Sequence, residues 1–170
     1  MEKYQGIKFH YRQVREFFTC TDNQLTTLNW WAYLFSQLGL TPIHADGAYG
    51  NQSCRTGKSS FFITKTGMIP SREFCRNNFC HVLGFDETSN SFLTEGQAIP
   101  SSESLLHYLL YRAQPDINAI LHGHSHLFLE YATPLDIAST HTFHQYGTRE
   151  LAESALELID GTIRFFLIKD

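Results

Sequence analysis

Apolar positions along the chain follow two different periods. Between residues 25 and 38, Leu28, Trp31, Ala32, Leu34, Phe35 and Leu38 recur at intervals of three and four, which predicts a helix with one buried face. Asp22 is placed to cap its start and Gly39 to stop it. Short runs of bulky and β-branched residues predict strands at 60–64, 81–85 and 91–94, the last two joined by the polar turn 86–90. A second helix, capped by Ser101 or Ser102, carries Leu105, Leu106, Leu109, Leu110 and Ala113 and ends near Pro115. Residues 117–122 read as a strand running into histidines, 147–159 as a third helix and 162–168 as a closing strand, whereas Asp46-Gly-Ala-Tyr-Gly-Asn-Gln-Ser reads as a loop. Helices and strands interleave, and the hairpin in the middle breaks any strict βαβ repeat. The pattern therefore fits an α/β domain around a mixed or antiparallel sheet.

Length and charge narrow this picture. At 170 residues the chain supports one sizeable core, so a single domain over residues 1–170 is expected. Thirteen Lys and Arg against 17 Asp and Glu give a net charge of -4 with no block of either sign, so no footprint for nucleic acid is present. No apolar run approaches the roughly 20 residues that span a bilayer. Met1-Glu-Lys-Tyr-Gln-Gly lacks the apolar centre of a secretory signal, which makes a cytoplasmic location the expectation. Cys20, Cys54, Cys75 and Cys80 form no Cys-x-x-Cys pair and are expected to be reduced, mostly buried thiols.

The chemistry gathers in Ala119-Ile-Leu-His-Gly-His-Ser-His, where an apolar strand ends in His122, His124 and His126. On an extended strand, residues two apart share a face, so these imidazoles can converge on one cation, and spacing alone does not exclude His126. Glu103, at a helix start, is a candidate third partner; exposed N–H groups there also favour an anion. Gly50-Asn-Gln-Ser-Cys-Arg, read as a glycine-containing turn, and Ile63-Thr-Lys-Thr-Gly are two segments suited to anion handling. His107 is expected to pack or support the site, and His141 and His144 to be surface or loop residues, one of which could substitute as a ligand. Phe17, Phe18, Trp30 and Trp31 suit a core or a subunit interface.

Together these segments resemble class II aldolase/adducin domains, typified by fuculose-1-phosphate aldolase. The matching elements run in order: Gly50-Asn51-Gln-Ser53; Ile63-Thr64-Lys-Thr66-Gly67; Glu95-Gly96 leading to Pro100-Ser101-Ser102-Glu103 and His107; Asp116-Ile-Asn-Ala-Ile-Leu-His122-Gly-His124; and Gly147-Thr148-Arg149-Glu150-Leu151. The resemblance covers residue 38 to the end. It implies a single α/β domain with a central, mainly antiparallel sheet flanked by helices in three layers. It implies a divalent metal, zinc by preference, on His122 and His124, and Glu103 as catalytic acid/base. Substrate phosphate would sit among Asn51, Thr66, Gly67, Ser101 and Ser102. The implied activity is metal-dependent carbon–carbon cleavage of a small phosphorylated sugar through an enediolate, in a homo-oligomer, a tetramer by resemblance. A related epimerase or dehydratase, or a non-catalytic adducin-like interaction domain, is the alternative. The family's third metal histidine follows its final strand; here that strand is Phe165-Phe-Leu-Ile-Lys-Asp170, which leaves Asp170 or nothing in its place.

Overall fold

The computed structural model describes residues 6–20, 22–159 and 162–169. The Asp22 side chain and Asp170, named above as a cap and a possible metal ligand, lie outside the described residues. In chain order the elements are β1 (His10–Arg15), α1 (Asp22–Gln37), β2 (Ile43–His44), β3 (Gly47–Ala48), β4 (Asn51–Arg55), β5 (Phe61–Thr64), β6 (Phe79–Asp86), β7 (Ser91–Glu95), α2 (Ser104–Ala113), β8 (Ala119–His122), α3 (His126–Glu130) and α4 (Arg149–Leu156).

Six strands form one sheet in the order β1-β7-β6-β5-β4-β8, and β2 pairs with β3 separately. Every pairing in the large sheet is antiparallel except β1 with β7, so the sheet is mixed. Strand β5 shows how it is sandwiched, because alternate residues face opposite sides. Phe61 and Ile63 join Val82, Phe92, Leu106, Leu110 and Ala152 in the larger core beneath α2 and α4. Phe62 instead packs with Phe18, Leu25, Leu28 and Phe79 beneath α1. Helices thus cover both faces of the sheet, giving the three-layer α/β domain expected.

Three expectations need correction, and one strand was not anticipated. Gly50-Asn-Gln-Ser-Cys-Arg is not a turn: from Asn51 onward it is β4, between β5 and β8. Its polar side chains Asn51, Gln52 and Ser53 are buried, so hydropathy conceals a central strand. Residues 162–168 do not join the sheet. Only Leu167 makes a β-type bridge, to Ser139; its N–H donates to Ala138 O and its carbonyl accepts from Thr140 N, each at 2.9 Å. That loop satisfies the backbone there, while Phe166 and Ile168 pack against the larger core. Helix α2 begins at Ser104 with Glu103 in the capping position, so neither Ser101 nor Ser102 is its N-cap. The unanticipated strand is β1, which lies wholly exposed on a sheet edge and carries no inward apolar alternation to announce it.

Candidate active site

The site is built where three elements meet: the start of β4, the N-terminus of α2 and the end of β8. Register sets the first contact, since β4 and β8 pair Asn51 with His122. Gly50 permits the approach. Its φ is +83°, and a Cβ there would lie 2.7 Å from the His122 carbonyl oxygen, so a side chain would both strain the backbone and push β8 away. Gln52 fastens the same carbonyl through its Nε2, at 3.2 Å.

Glu103 drops from the α2 N-terminus onto this pair. The residue is buried. Its Oε2 accepts a hydrogen bond from Asn51 Nδ2 at 2.7 Å and pairs with His122 Nδ1 at 2.5 Å. Burial disfavours the carboxylate, but adjacent His122, the Asn51 hydrogen bond and the nearby His124 outweigh it and hold the pKa at about 2. The positive end of the α2 dipole acts in the same sense. Asn51 Oδ1 is buried without a partner in the structure, which leaves one acceptor of the site unused.

His124 is held from another direction. Its N–H donates to Leu40 O at 2.7 Å, just beyond α1. Gly123 lets the chain pass: a Cβ there would meet Phe35 Cδ1 at 2.9 Å and Leu40 O at 3.0 Å. The His122 and His124 rings come to 4.8 Å between centroids at 35°, and Tyr49 lies 5.2 Å from His124. His126 does not share their face. The extended segment ends and His126 opens α3, exposed.

Behind the site runs a buried polar chain that sequence reading missed: Ser53 Oγ bonds His107 Nδ1 at 2.6 Å and Tyr111 Oη at 2.8 Å. Burial, reinforced by His122, pushes the His107 pKa down to about 3, so the ring is neutral, and its Nε2 is buried without a partner. His107 and Tyr111 are one helical turn apart on α2, a spacing visible in the sequence, but Ser53 gave no sign of meeting them.

The segments expected to hold phosphate are linked but do not all line one cavity. Thr66 N donates to Ile99 O at 3.0 Å, which sets the β5 turn beside 99–102. Gly67, at φ +62°, lies against Asp46 and Gly47. Ser101 Oγ accepts from Glu103 N at 3.4 Å, and a Cβ on Gly147 would lie 2.7 Å from Ser102 O. A cavity of about 580 Å³ opens on the other side, lined by Glu103, His122 and His124 together with apolar residues including Leu106, Leu110, Phe128 and Phe166. Asn51, Thr66, Gly67, Ser101 and Ser102 are not in its wall. His144, in a loop as expected, is, whereas His141 is exposed.

In kind, two imidazoles with a carboxylate alongside suit a divalent cation. With Nδ1 of His122 engaged by Glu103, Nε2 is the nitrogen that would serve as ligand. Among the described residues, however, no three His, Cys, Asp or Glu side chains form a group arranged to hold a metal ion. Nor, among them, is any helix long and apolar enough to cross a membrane.

Comparison with known proteins shows the family and the fold. Residues 32–162 match the family model described as Class II Aldolase and Adducin N-terminal domain. Methylthioribulose-1-phosphate dehydratase of Yersinia enterocolitica is 38% identical over 76 residues, covering 45% of this chain and 33% of that protein. The Yersinia pestis (Pestoides F) protein of the same name is also 38% identical over 76 residues, covering 45% of this chain and 32% of its own. The match thus spans about a third of the length of these curated relatives. Among solved structures, L-fuculose 1-phosphate aldolase superposes with a TM-score of 0.61 at 25% identity, covering 84% of this chain and 69% of that one. An aldolase II superfamily protein from Pseudomonas syringae gives 0.58 at 15% identity, covering 85% and 62%, and speaks for the fold alone.

Proposed function

Since the chain belongs to the class II aldolase and adducin N-terminal domain family, we propose that it is a lyase that moves a proton next to the carbonyl of a small phosphorylated ketose. The observation that carries this reading is Glu103: a buried carboxylate kept ionised by Asn51 and His122 at the mouth of a 580 Å³ cavity. A buried base pre-positioned in this way needs only substrate to displace its present hydrogen bonds.

A divalent cation held by His122 and His124, zinc by preference for imidazole, would polarise the substrate carbonyl when bound. The chain's own residues do the rest. Glu103 takes the proton from the carbon beside the carbonyl. Neutral His107, behind it, adds no positive charge that would hold Glu103 permanently ionised. Asn51 turns its amide N–H to Glu103, so its Oδ1 is left to accept from a substrate hydroxyl. Asn51, Thr66, Gly67, Ser101 and Ser102, which lie outside the wall of that cavity, are the groups we assign to the phosphate.

Two outcomes differ in which proton moves first. If Glu103 takes the proton beside the carbonyl and a hydroxyl sits on the next carbon, its C–O bond breaks, water leaves with a proton returned by Glu103, and the enol relaxes to a dicarbonyl. In cleavage that hydroxyl loses its proton first, the carbon–carbon bond breaks to an aldehyde and an enediolate, and the proton returns through Glu103 to the carbon beside the carbonyl, leaving two smaller carbonyl compounds. We favour dehydration of a ketose phosphate such as methylthioribulose 1-phosphate, because the curated relatives at 38% identity carry that name. The incomplete donor set among the described residues favours a second reading, a non-catalytic adducin-like module. Elemental analysis of the chain, followed by NMR of products formed from methylthioribulose 1-phosphate and fuculose 1-phosphate, separates these readings. A dicarbonyl product supports dehydration and paired smaller carbonyls support cleavage. No bound metal and neither product favours the binding module.

A further inference from the structure

A second group of polar side chains lies away from Glu103 and the β8 histidines, at the other end of β4. Strand register builds it. Cys54 pairs with Phe62, Phe62 with His81, His81 with Glu95 and Glu95 with Arg15, so one row of side chains crosses β4, β5, β6, β7 and β1. Thr56, two residues beyond Cys54, falls on the same face where the chain leaves β4.

Within this row, Glu95 Oε2 lies 3.1 Å from His81 Nδ1, and His81 Nε2 lies 3.0 Å from Thr56 Oγ1. A carboxylate, an imidazole and a hydroxyl therefore stand in line, each within hydrogen-bond reach of the next. The imidazole is fixed by packing as well, since it stacks on Phe62 at 4.4 Å between centroids and meets Phe18 at 6.3 Å. Glu95 is held from behind by Arg15 Nη1 at 3.7 Å. The His81 and Glu95 side chains are 14% and 12% exposed, whereas Thr56 is exposed and ends the line in solvent. A polar tie between strands would be complete with the His81–Glu95 pair. The third member, at the surface, is what a nucleophile requires.

We propose that Thr56 is an acyl-accepting nucleophile toward small activated esters or thioesters, with His81 as its general base and Glu95 as the group that orients His81. With its proton held on Nδ1 by Glu95, His81 keeps Nε2 to accept the Thr56 proton. That hydroxyl now donates to Ser60 Oγ at 2.9 Å and has only to rotate. Thr56 Oγ then bonds to the acyl carbon as its proton passes to Nε2. The carbon–oxygen or carbon–sulfur bond to the leaving group breaks, and His81 returns the proton to that group. Water deprotonated by His81 next attacks the acyl carbon, which releases the acid and restores the Thr56 hydroxyl. Glu95 stays ionised throughout.

Incubating the full chain with p-nitrophenyl acetate tests this proposal. Nitrophenolate release is followed by absorbance, and the acetylated residues are located by peptide mapping with mass spectrometry. Exposed Thr88 and Thr133 serve as references in the same digest. We expect acetyl on Thr56 at least about 10²-fold faster than on either reference. Thr56→Val, a change at an exposed position, should remove that adduct. His81→Gln should slow acetylation of Thr56 by about 10²-fold and Glu95→Gln by about tenfold or more, with folding checked by circular dichroism. The comparison with Thr88 and Thr133 stands on the parent chain alone if either variant fails to fold. Thr56 acetylated no faster than the references overturns the proposal, as does an unchanged rate in the folded His81 and Glu95 variants.

Discussion

The two sides of the site are held very differently. On the Glu103 side, the β4–β8 register, Gly50, Gln52 and Asn51 converge on one buried carboxylate and one imidazole, and each contact restrains the others. On the far side, beyond His124, the cavity wall includes the short helix α3 and the 163–168 segment, whose β-type bridge among the described residues is at Leu167. Under the proposed function, the difference would let proton transfer and cation binding be perturbed separately: Glu103 is positioned from the sheet, whereas a cation on His122 and His124 would depend on the far wall.

Substitutions can break this contrast, beginning with the largest expected effect. Glu103→Gln keeps the side-chain shape but removes the base, so turnover should fall by about 10²–10⁴-fold. His122→Ala leaves a buried carboxylate without its charge partner. It should cost about 3 kcal/mol in chemical denaturation as well as abolish metal uptake. His124→Ala should reduce metal uptake at a much smaller stability cost, and equal losses from the two variants would break the proposed asymmetry. Gly50→Ala, forced into a left-handed backbone against the His122 carbonyl, should cost about 1–3 kcal/mol.

Acid should act on the same rigid side. His107 has its pKa lowered from 6.5 to about 3, so between those values the unfolded chain binds a proton that the folded chain refuses. Stability therefore falls as pH drops from 6.5 toward 3. Glu103, lowered from 4.5 to about 2, contributes stability that is fully present above pH 4.5 and lost as pH falls through 2. Denaturation of His107→Gln should show a flatter profile between pH 6.5 and 3 than the parent. Phe165→Ala, on the looser wall and exposed against Phe128, should cost less than about 1 kcal/mol.

Much of the fold was legible because its elements bury one side. The α1 stripe, the Phe61-Phe-Ile run, the hairpin around 86–90 and the α2 leucines all stand where periodicity placed them. Strand β4 escaped because its inward residues are polar and find their partners in distant segments, namely Glu103, His107 and His122. No local pattern encodes such long-range pairing. The 162–168 segment shows the reverse: its composition suits a strand, but a neighbouring loop supplies its hydrogen bonds. At the site, the alternating histidines announced His122 and His124, yet alternation overextended to His126, where Ser125 caps α3 and accepts from Phe128 N at 3.4 Å.

The most direct test of the proposed proton transfer by Glu103 is solvent deuterium exchange. The zinc-loaded chain is incubated in D₂O with methylthioribulose 1-phosphate, and the proton beside the carbonyl is followed by NMR. The proposal expects deuterium at that carbon, or in the dehydrated product, with the parent chain and at least about 10²-fold slower exchange with Glu103→Gln. Exchange at the same rate in both proteins, or none with metal stoichiometrically bound, would contradict it.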